Sequence, residues 1–491
     1  MAYCSLAPIA LVALLLPVAV YADPAGAKTA PPWQGKLTSC TLPDFPGEAY
    51  CGTYEVFENR ETRSGRKIPL KIVLLPVTGA ERAADPVFFL EGGPGGSATI
   101  LASELAGDPV RARREIVLVD TRGTGESAAL NCRLWGDGTR LDRIFPLDAV
   151  AACRDELQKR ADLTQYTTAA AMDDLDEVRR YLGYDRVNLS GASYGTYAAQ
   201  VFLARHPEAV RTVTLSSVAR PGEPAPLYHA RNAQQGLELV ARDCTAEPAC
   251  RAAFPRFREE VSAVLDRLAE QSVTVEVESP ETGKPVKVQL TRSAAADALR
   301  FALYSPEAAS KVPRRVHRAA EGDYRELAQT AVKIRATLQQ YLAFGLFFSI
   351  TCAEDVPRID PAEIPVATHG TFFGDDRVRD QLAVCGIWPH APLPPGSGSL
   401  VRSDVPALLF SGERDPVTPP EDAALVARGF ANGLLIQIPH GTHAGGESCE
   451  QRLIADFIER GTPQGLDLSC IKTASPVPFV TSAETAAKRE N

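Results

Sequence analysis

The chain has 491 residues, with 52 Lys plus Arg against 61 Asp plus Glu, for a net charge of −9. Hydrophobic residues make up 45% and charged residues 23%, a globular balance that excludes a disordered or fibrous chain and allows one large domain or two to three smaller ones. The negative balance argues against nucleic-acid or anionic-membrane partners, which need a positive field, and beyond the first two dozen residues no apolar run approaches the ~20 residues that span a bilayer.

Residues 1–22 read as a signal peptide. Ile9 to Val20 is an almost unbroken apolar run, too short to span, and Val20-Tyr21-Ala22 offers a peptidase site, although no Lys or Arg precedes the run. Export and cleavage near Ala22–Asp23 are expected. Of 11 cysteines, Cys4 lies in this leader and ten remain as sequence-local couples: Cys40/Cys51, Cys132/Cys153, Cys244/Cys250, Cys352/Cys385 and Cys449/Cys470. Sequence alone leaves the connectivity open, but neighbour pairing closes the shortest loops. Zinc is disfavoured by the lack of any C-x-x-C, and an oxidising compartment outside the cytosol accounts for leader and cysteines together.

Residues 23–45, rich in Pro and Ala, read as a loose N-terminal arm. Residues 46–220 alternate strand, turn and helix. Val87–Leu90 and Ile116–Val119 are short, wholly apolar runs, the signature of strands buried on both faces of a parallel sheet. Asp173–Leu182 has helical spacing closed by Gly183, and Val187–Ser190 and Val213–Leu215 are further strands. Residues 221–398 change character: 230–243, 251–269, 292–304 and 314–343 read as helices, Thr274–Val277 and Val286–Leu290 as a hairpin, and 392–399 as a linker. From 399 to 475 the first pattern resumes, with strands at Val405–Phe410 and Leu434–Ile438 around a helix at Glu421–Phe430. The expected architecture is α/β, an α/β-hydrolase fold with a mostly parallel sheet and an inserted, mainly helical cap, followed by a C-terminal tail at 476–491 whose charged end, 483–491, is expected to fray. No internal repeat stands out.

Three segments carry chemistry. Gly191-Ala192-Ser193-Tyr194-Gly195 matches G-x-S-x-G between a strand and a helix, where a sharp turn presents a serine at the helix N-terminus. A serine needs a base and an orienting acid. In chain order the acid follows the serine and the histidine follows the acid, which selects Asp415 after the strand 405–410 and His443 after the strand 434–438. His440 and Glu413 are the competing choices. His206 reads as a helix cap, and His229, His317, His369 and His390 as solvated or structural. Glu91-Gly92-Gly93-Pro94-Gly95-Gly96-Ser97 follows the strand 87–90; the Gly93 and Tyr194 amides are the expected oxyanion donors. No G-K-[ST] follows, so a nucleotide loop is disfavoured. Asp120, in Asp120-Thr121-Arg122-Gly123, reads as part of a structural turn beside the pocket.

The runs FFLEGGPGGSA, VLVDTRGTGES, VNLSGASYGTYAAQVFLARHPE, ITCAEDVP, CGIWP and LLFSGERDPVTPP…GTHA resemble the exported tripeptidyl-aminopeptidase and proline-iminopeptidase-like serine peptidases of the α/β-hydrolase superfamily, over roughly 50–220 and 345–470. The resemblance implies a cap over the active site, cleavage at the free N-terminus of peptides and no cofactor, with Ser193 as nucleophile, Asp415 as orienting acid and His443 as general base. Where prolyl members have His-Gly-Gly-Pro-Gly, this chain has Glu91 in place of the histidine, which favours the tripeptidyl-type branch.

An exopeptidase must also hold a substrate ammonium, which in a partly dry pocket needs carboxylates. Glu354 and Asp355, beside Cys352, are the candidates, against an ordinary surface acidic pair, with Glu91 a third; Phe347, Phe348 and Trp388 are candidate pocket walls, although for any single aromatic a core role is the default. The expected partners are small peptides, with no nucleic acid, and no membrane beyond export. A secreted esterase or amidase would use the same triad, and a silent binding protein on a hydrolase scaffold would lack its activity.

Overall fold

The computed structural model describes residues 30–443, 448–472 and 475–482; the expected leader with Cys4 and the expected frayed end 483–491 lie outside them. Nine strands form one sheet. In chain order the first elements are β1 Thr38–Cys40, β2 Ala49–Asn59, β3 Ser64–Leu75, β4 Val87–Leu90, β5 Ile116–Val119, α1 Leu147–Leu157, α2 Thr168–Leu182, β6 Val187–Ala192, α3 Tyr194–Arg205 and β7 Val210–Ser216. An insert follows: α4 Ala225–Ala246, α5 Pro248–Ala253, α6 Phe257–Glu270, the hairpin β8 Val273–Glu278 with β9 Pro285–Leu290, α7 Arg292–Ala302, α8 Pro306–Ser310, α9 Val312–Ala320, α10 Arg325–Tyr341, α11 Phe344–Glu354, α12 Ile364–Thr368 and α13 Asp376–Cys385. The sheet then resumes with β10 Ala407–Gly412, α14 Pro420–Ala427, β11 Gly433–Ile438, α15 Ser448–Arg460 and α16 Ser469–Lys472.

The strand order is β1-β2-β3-β5-β4-β6-β7-β10-β11, antiparallel from β1 to β5 and parallel from β5 to β11. The two-residue period of the strands divides their side chains between two cores. Phe88, Leu90, Val117, Val119 and Leu409 pack toward α2 and α3, whereas Val87, Ile116, Leu118, Leu408 and Phe410 pack toward Leu453 and Phe457 of α15. The central strands therefore carry apolar residues on both faces.

Several expectations are corrected. Part of the expected loose arm is fixed: Trp33 and Leu37 are buried, the Trp33 indole N–H donates to Glu115 at 2.8 Å, and β1 pairs with β2. β10 begins two residues later than Val405, because Pro406 has no N–H for the ladder and contributes only its carbonyl, which accepts from Val213. The single helix expected over 314–343 is two, separated by Gly322 at φ +99, and Pro255 separates α5 from α6. Five disulfides join Cys40–Cys51, Cys132–Cys153, Cys244–Cys250, Cys352–Cys385 and Cys449–Cys470, the five neighbouring couples. Among the described residues, no helix is long and apolar enough to cross a membrane.

α11 ties the insert to the sheet. Its sequence FGLFFSITCAE is mostly apolar, and every residue, Ser349, Thr351 and Glu354 included, is buried, as in a helix enclosed on all sides. Just before it Ala343 N donates to Gly95 O at 3.0 Å, and in its first turn Gly345 N donates to Leu130 O at 2.7 Å. Cys352–Cys385 fastens its far end to α13.

Candidate active site

Ser193 ends the tight turn between β6 and α3 at φ 54, ψ −124, a left-handed conformation that costs a non-glycine residue energy and is kept only where the surroundings enforce it. The surroundings are glycine-dependent. A Cβ on Gly195 would lie 2.0 Å from Leu90 O, and one on Gly191 would lie 2.4 Å from Gly195 O. β4 and the helix entry are thus pressed together, and Ser193 N is held by Ser216 O of β7 at 3.0 Å.

β10 and β11 deliver two further groups to the same end of the sheet. His443 Nε2 lies 2.9 Å from Ser193 Oγ, and His443 Nδ1 lies 2.9 and 3.0 Å from the two Asp415 oxygens. Asp415 also accepts from the Val417 and Thr418 amides, each at 2.8 Å, and from the Thr418 hydroxyl at 2.7 Å. Burial pushes its carboxyl up, but His443 and the Thr418 donors outweigh that and hold it below its ordinary value. The histidine loop is itself braced: Ser217 Oγ donates to His443 O at 3.0 Å, and Thr442 Oγ1 donates to Tyr304 O at 2.8 Å.

The competing residues lie elsewhere. Glu413 accepts from His440 N and from Arg242, and the His440 ring meets Arg414. Asp120 accepts from Ser97 Oγ, from both donors of Thr99 and from Glu126 N, so it braces the turn under the glycine loop. His206 caps α3 and binds Asp173 at 3.0 Å.

Two cavities meet at Ser193, one of about 390 Å³ and one of about 130 Å³; both are lined by Gly93, Ser193, His229, Phe347, Arg377 and Val417. The Tyr194 amide is the first N–H of α3, so no earlier helical carbonyl awaits it. Glu354 and Asp355 line the smaller cavity, together with Glu223 and Asp422. Glu354 is buried and accepts from Thr168 N at 2.7 Å and from the Tyr197 hydroxyl at 3.0 Å. Burial, then repulsion from Glu354, pushes the Asp355 carboxyl up to about 8. Glu91 is separated from these two: it lines the larger cavity, where the Tyr341 hydroxyl donates to it and burial raises its carboxyl.

Of the three candidate wall aromatics, two take the core role expected of a single aromatic. Phe348, on the far side of α11, and Trp388, just after α13, meet edge to face within the core, and of the three only Phe347 lines the cavities. His229 is buried rather than solvated, stands where the two cavities meet, and has no hydrogen-bond partner at Nδ1 among the described residues. Thr418, Tyr304, Arg300 and Arg377 were not singled out in the sequence. Only Thr418 leaves a local trace there, as the third residue after Asp415; the others come from the insert, Arg300 from α7, Tyr304 from the turn after it and Arg377 from α13.

A hydroxyl, an imidazole and a carboxylate hydrogen-bonded in series, on strand ends of a mostly parallel sheet, define the serine hydrolases of the α/β-hydrolase fold. Residues 85–251 match the family described as alpha/beta hydrolase fold, and residues 370–470 the family described as TAP-like protein. The chain is 25% identical over 468 residues to serine protease Hip1 of Mycobacterium tuberculosis, covering 87% of this chain and 88% of that one. It is 26% identical over 219 residues to tripeptidyl aminopeptidase of Streptomyces coelicolor, covering 40% of each. A solved proline iminopeptidase from Mycobacterium smegmatis is 16% identical, with a TM-score of 0.41 over 84% of this chain and 98% of that one. The chain has the α/β-hydrolase fold, is similar over these segments to tripeptidyl-aminopeptidase-like serine peptidases, and is a serine hydrolase of the peptidase kind.

Proposed function

We propose that the protein is an exported exopeptidase that releases a short peptide or a single residue from the free N-terminus of small peptides. The observation that carries this reading is the pair of buried carboxylates, Asp355 and Glu354, on the wall of the smaller cavity beside Ser193. An ammonium anchored there limits how many residues fit between the substrate's N-terminus and the serine. The tripeptidyl type is favoured over the proline iminopeptidase type, because Glu91 stands in the position of the prolyl histidine and a relative bears the tripeptidyl name.

In the mechanism, Asp415 on Nδ1 fixes the tautomer that leaves His443 Nε2 free to accept the Ser193 proton as Oγ attacks the scissile carbonyl. The Gly93 and Tyr194 amides take the oxyanion. Protonated His443 then gives its proton to the departing amine, and water, activated by the same imidazole, releases the acyl group. No step calls for a metal or an organic cofactor. Export agrees with the five disulfides, since such bonds persist in oxidising compartments.

The test is a chromogenic panel of aminoacyl, dipeptidyl and tripeptidyl substrates with free and acetylated N-termini. Cleavage confined to free amines is expected, and Ser193→Ala should lower kcat by a factor on the order of 10⁶. Hydrolysis of N-blocked esters but not of free peptides would identify an esterase instead, and no labelling of Ser193 by a fluorophosphonate would identify a silent binding protein.

A further inference from the structure

Arg300 of α7, Arg335 of α10 and Arg377 of α13 all line the larger cavity, and all three are buried, at 3%, 2% and 6% exposure. Arg335 is neutralised by Asp297, 3.0 Å away. Arg300 and Arg377 are not: among the described residues, no carboxylate oxygen lies within 4.0 Å of either guanidinium, and their contacts are neutral. Arg300 donates to the Tyr304 hydroxyl at 2.7 Å and lies 4.9 Å from the Phe301 ring, while its Nε has no acceptor. Arg377 donates to Gln381 at 2.9 Å and lies 4.8 Å over the Phe145 ring. Glu91, on the same cavity, is engaged by Tyr341 and kept toward its neutral form by burial.

Aromatic faces offset part of the desolvation of a guanidinium; Asp297, Asp380 and Asp355 act on Arg377 only from beyond 4.0 Å, and a buried cation without a counter-charge in contact stays costly. The planar fork of donors is shaped for a carboxylate. We propose that the larger cavity is a carboxylate subsite, in which Arg300 and Arg377 bind a carboxylate that the peptide substrate carries close to the bond being cut. The inference rests on the peptidase reading above and names a feature of its substrate.

Geometry sets how close. The Tyr304 ring lies 4.9 Å from the His443 imidazole and 5.3 Å from the Arg300 guanidinium, so the cationic seat is one aromatic ring away from the base. Burial and the neighbouring Arg300 lower the Arg377 guanidinium only to about 10, so it remains a cation at neutral pH. Arg377 stands where the two cavities meet: the smaller gathers Glu223, Glu354, Asp355 and Asp422 with Arg220 and Arg358, and the larger adds Arg300 and the Arg335–Asp297 pair. The carboxylate has two possible sources, an acidic side chain flanking the cut or the C-terminal carboxylate of a very short peptide.

The test compares kcat/KM for free-amine peptides in two matched arms, Glu against Gln on either side of the cut, and a free C-terminal acid against its amide. At least a tenfold preference for the acid is expected in one arm, which names the source. That acid-to-neutral ratio should fall toward one in Arg300→Gln and Arg377→Gln, and be partly kept in Arg377→Lys, whatever happens to the absolute rates. A wild-type ratio within twofold of one in both arms overturns the subsite, and an undiminished ratio in both Gln variants overturns its assignment to these arginines. N-acetylated partners of each peptide separate this from the parent reading. Free-amine dependence without acid preference removes only the subsite, whereas acid preference without free-amine dependence removes the exopeptidase.

Discussion

Asp355 is poised to respond to its ligand. With its carboxyl pushed up to about 8 by burial and by Glu354, it is mostly neutral at pH 6 and must lose its proton to hold an ammonium. Affinity for a free-amine peptide should therefore rise as pH climbs from 6 toward 8, and fall once the substrate's own α-amino group, with an ordinary pKa of about 7.7–8.0, is deprotonated. We expect 1/KM to peak near pH 8 in steady-state profiles, and Asp355→Asn to remove the acidic limb while raising KM. A profile with the same acidic limb in the variant would show that Asp355 does not hold the amine. At this scale the sequence is readable where chemistry coincides with a strand end. Ser193, Asp415 and His443 each follow a strand in a short distinctive run, and the structure brings all three within hydrogen-bonding distance in series. His229, Arg300 and Arg377 carry no such mark, because their meaning arises only when α4, α7 and α13 converge over the sheet. Their local sequence is that of ordinary amphipathic helices.

Among the elements, α11 brings the insert to the nucleophile. It carries Phe347 to the cavities, ends at Glu354 and is clamped by Cys352–Cys385 across 33 residues. Chain-entropy arguments value a loop of that length at roughly 3–4 kcal/mol, so a Cys352→Ser/Cys385→Ser double variant should lose about that much in denaturant melts. Because Asp355 directly follows the clamped helix, the same variant should show a raised KM with kcat nearly unchanged. The short parallel strands were legible because burial on both faces makes them wholly apolar. β2 and β3, though much longer, give a weaker signal: Ile68, Leu70 and Ile72 are buried but alternate with Lys67, Pro69 and Lys71, so each half of the pattern is diluted by the other. The arm gives a misleading signal for a similar reason: its composition is that of a linker, yet two apolar residues, Trp33 and Leu37, are buried and hold part of it down.

For the molecule as a whole, the insert covers the end of the sheet where Ser193 sits, and the serine is reached through cavities of a few hundred cubic ångströms. Such volumes admit a few residues, not a folded surface. Mass-spectrometric digestion of a peptide ladder should show efficient trimming of short free-amine peptides, and no trimming of a folded protein whose N-terminus is ordered; rapid trimming of the folded protein would mean that the insert swings away. The division of the chain between sheet and insert follows from a change in pattern that composition alone displays, but the way the two are joined does not. After α16 the backbone returns to the insert, where Val480 N donates to Ser310 O at 3.1 Å, Phe479 N donates to Glu247 at 3.3 Å, and both side chains are buried. This carboxy-terminal strap is a third crossing between the two lobes, besides the segments entering and leaving the insert. A gene truncated just before Ser475 would still encode every reactive group, yet its product would lack that stitch. Scanning calorimetry of such a product should resolve two endotherms where the intact chain gives one.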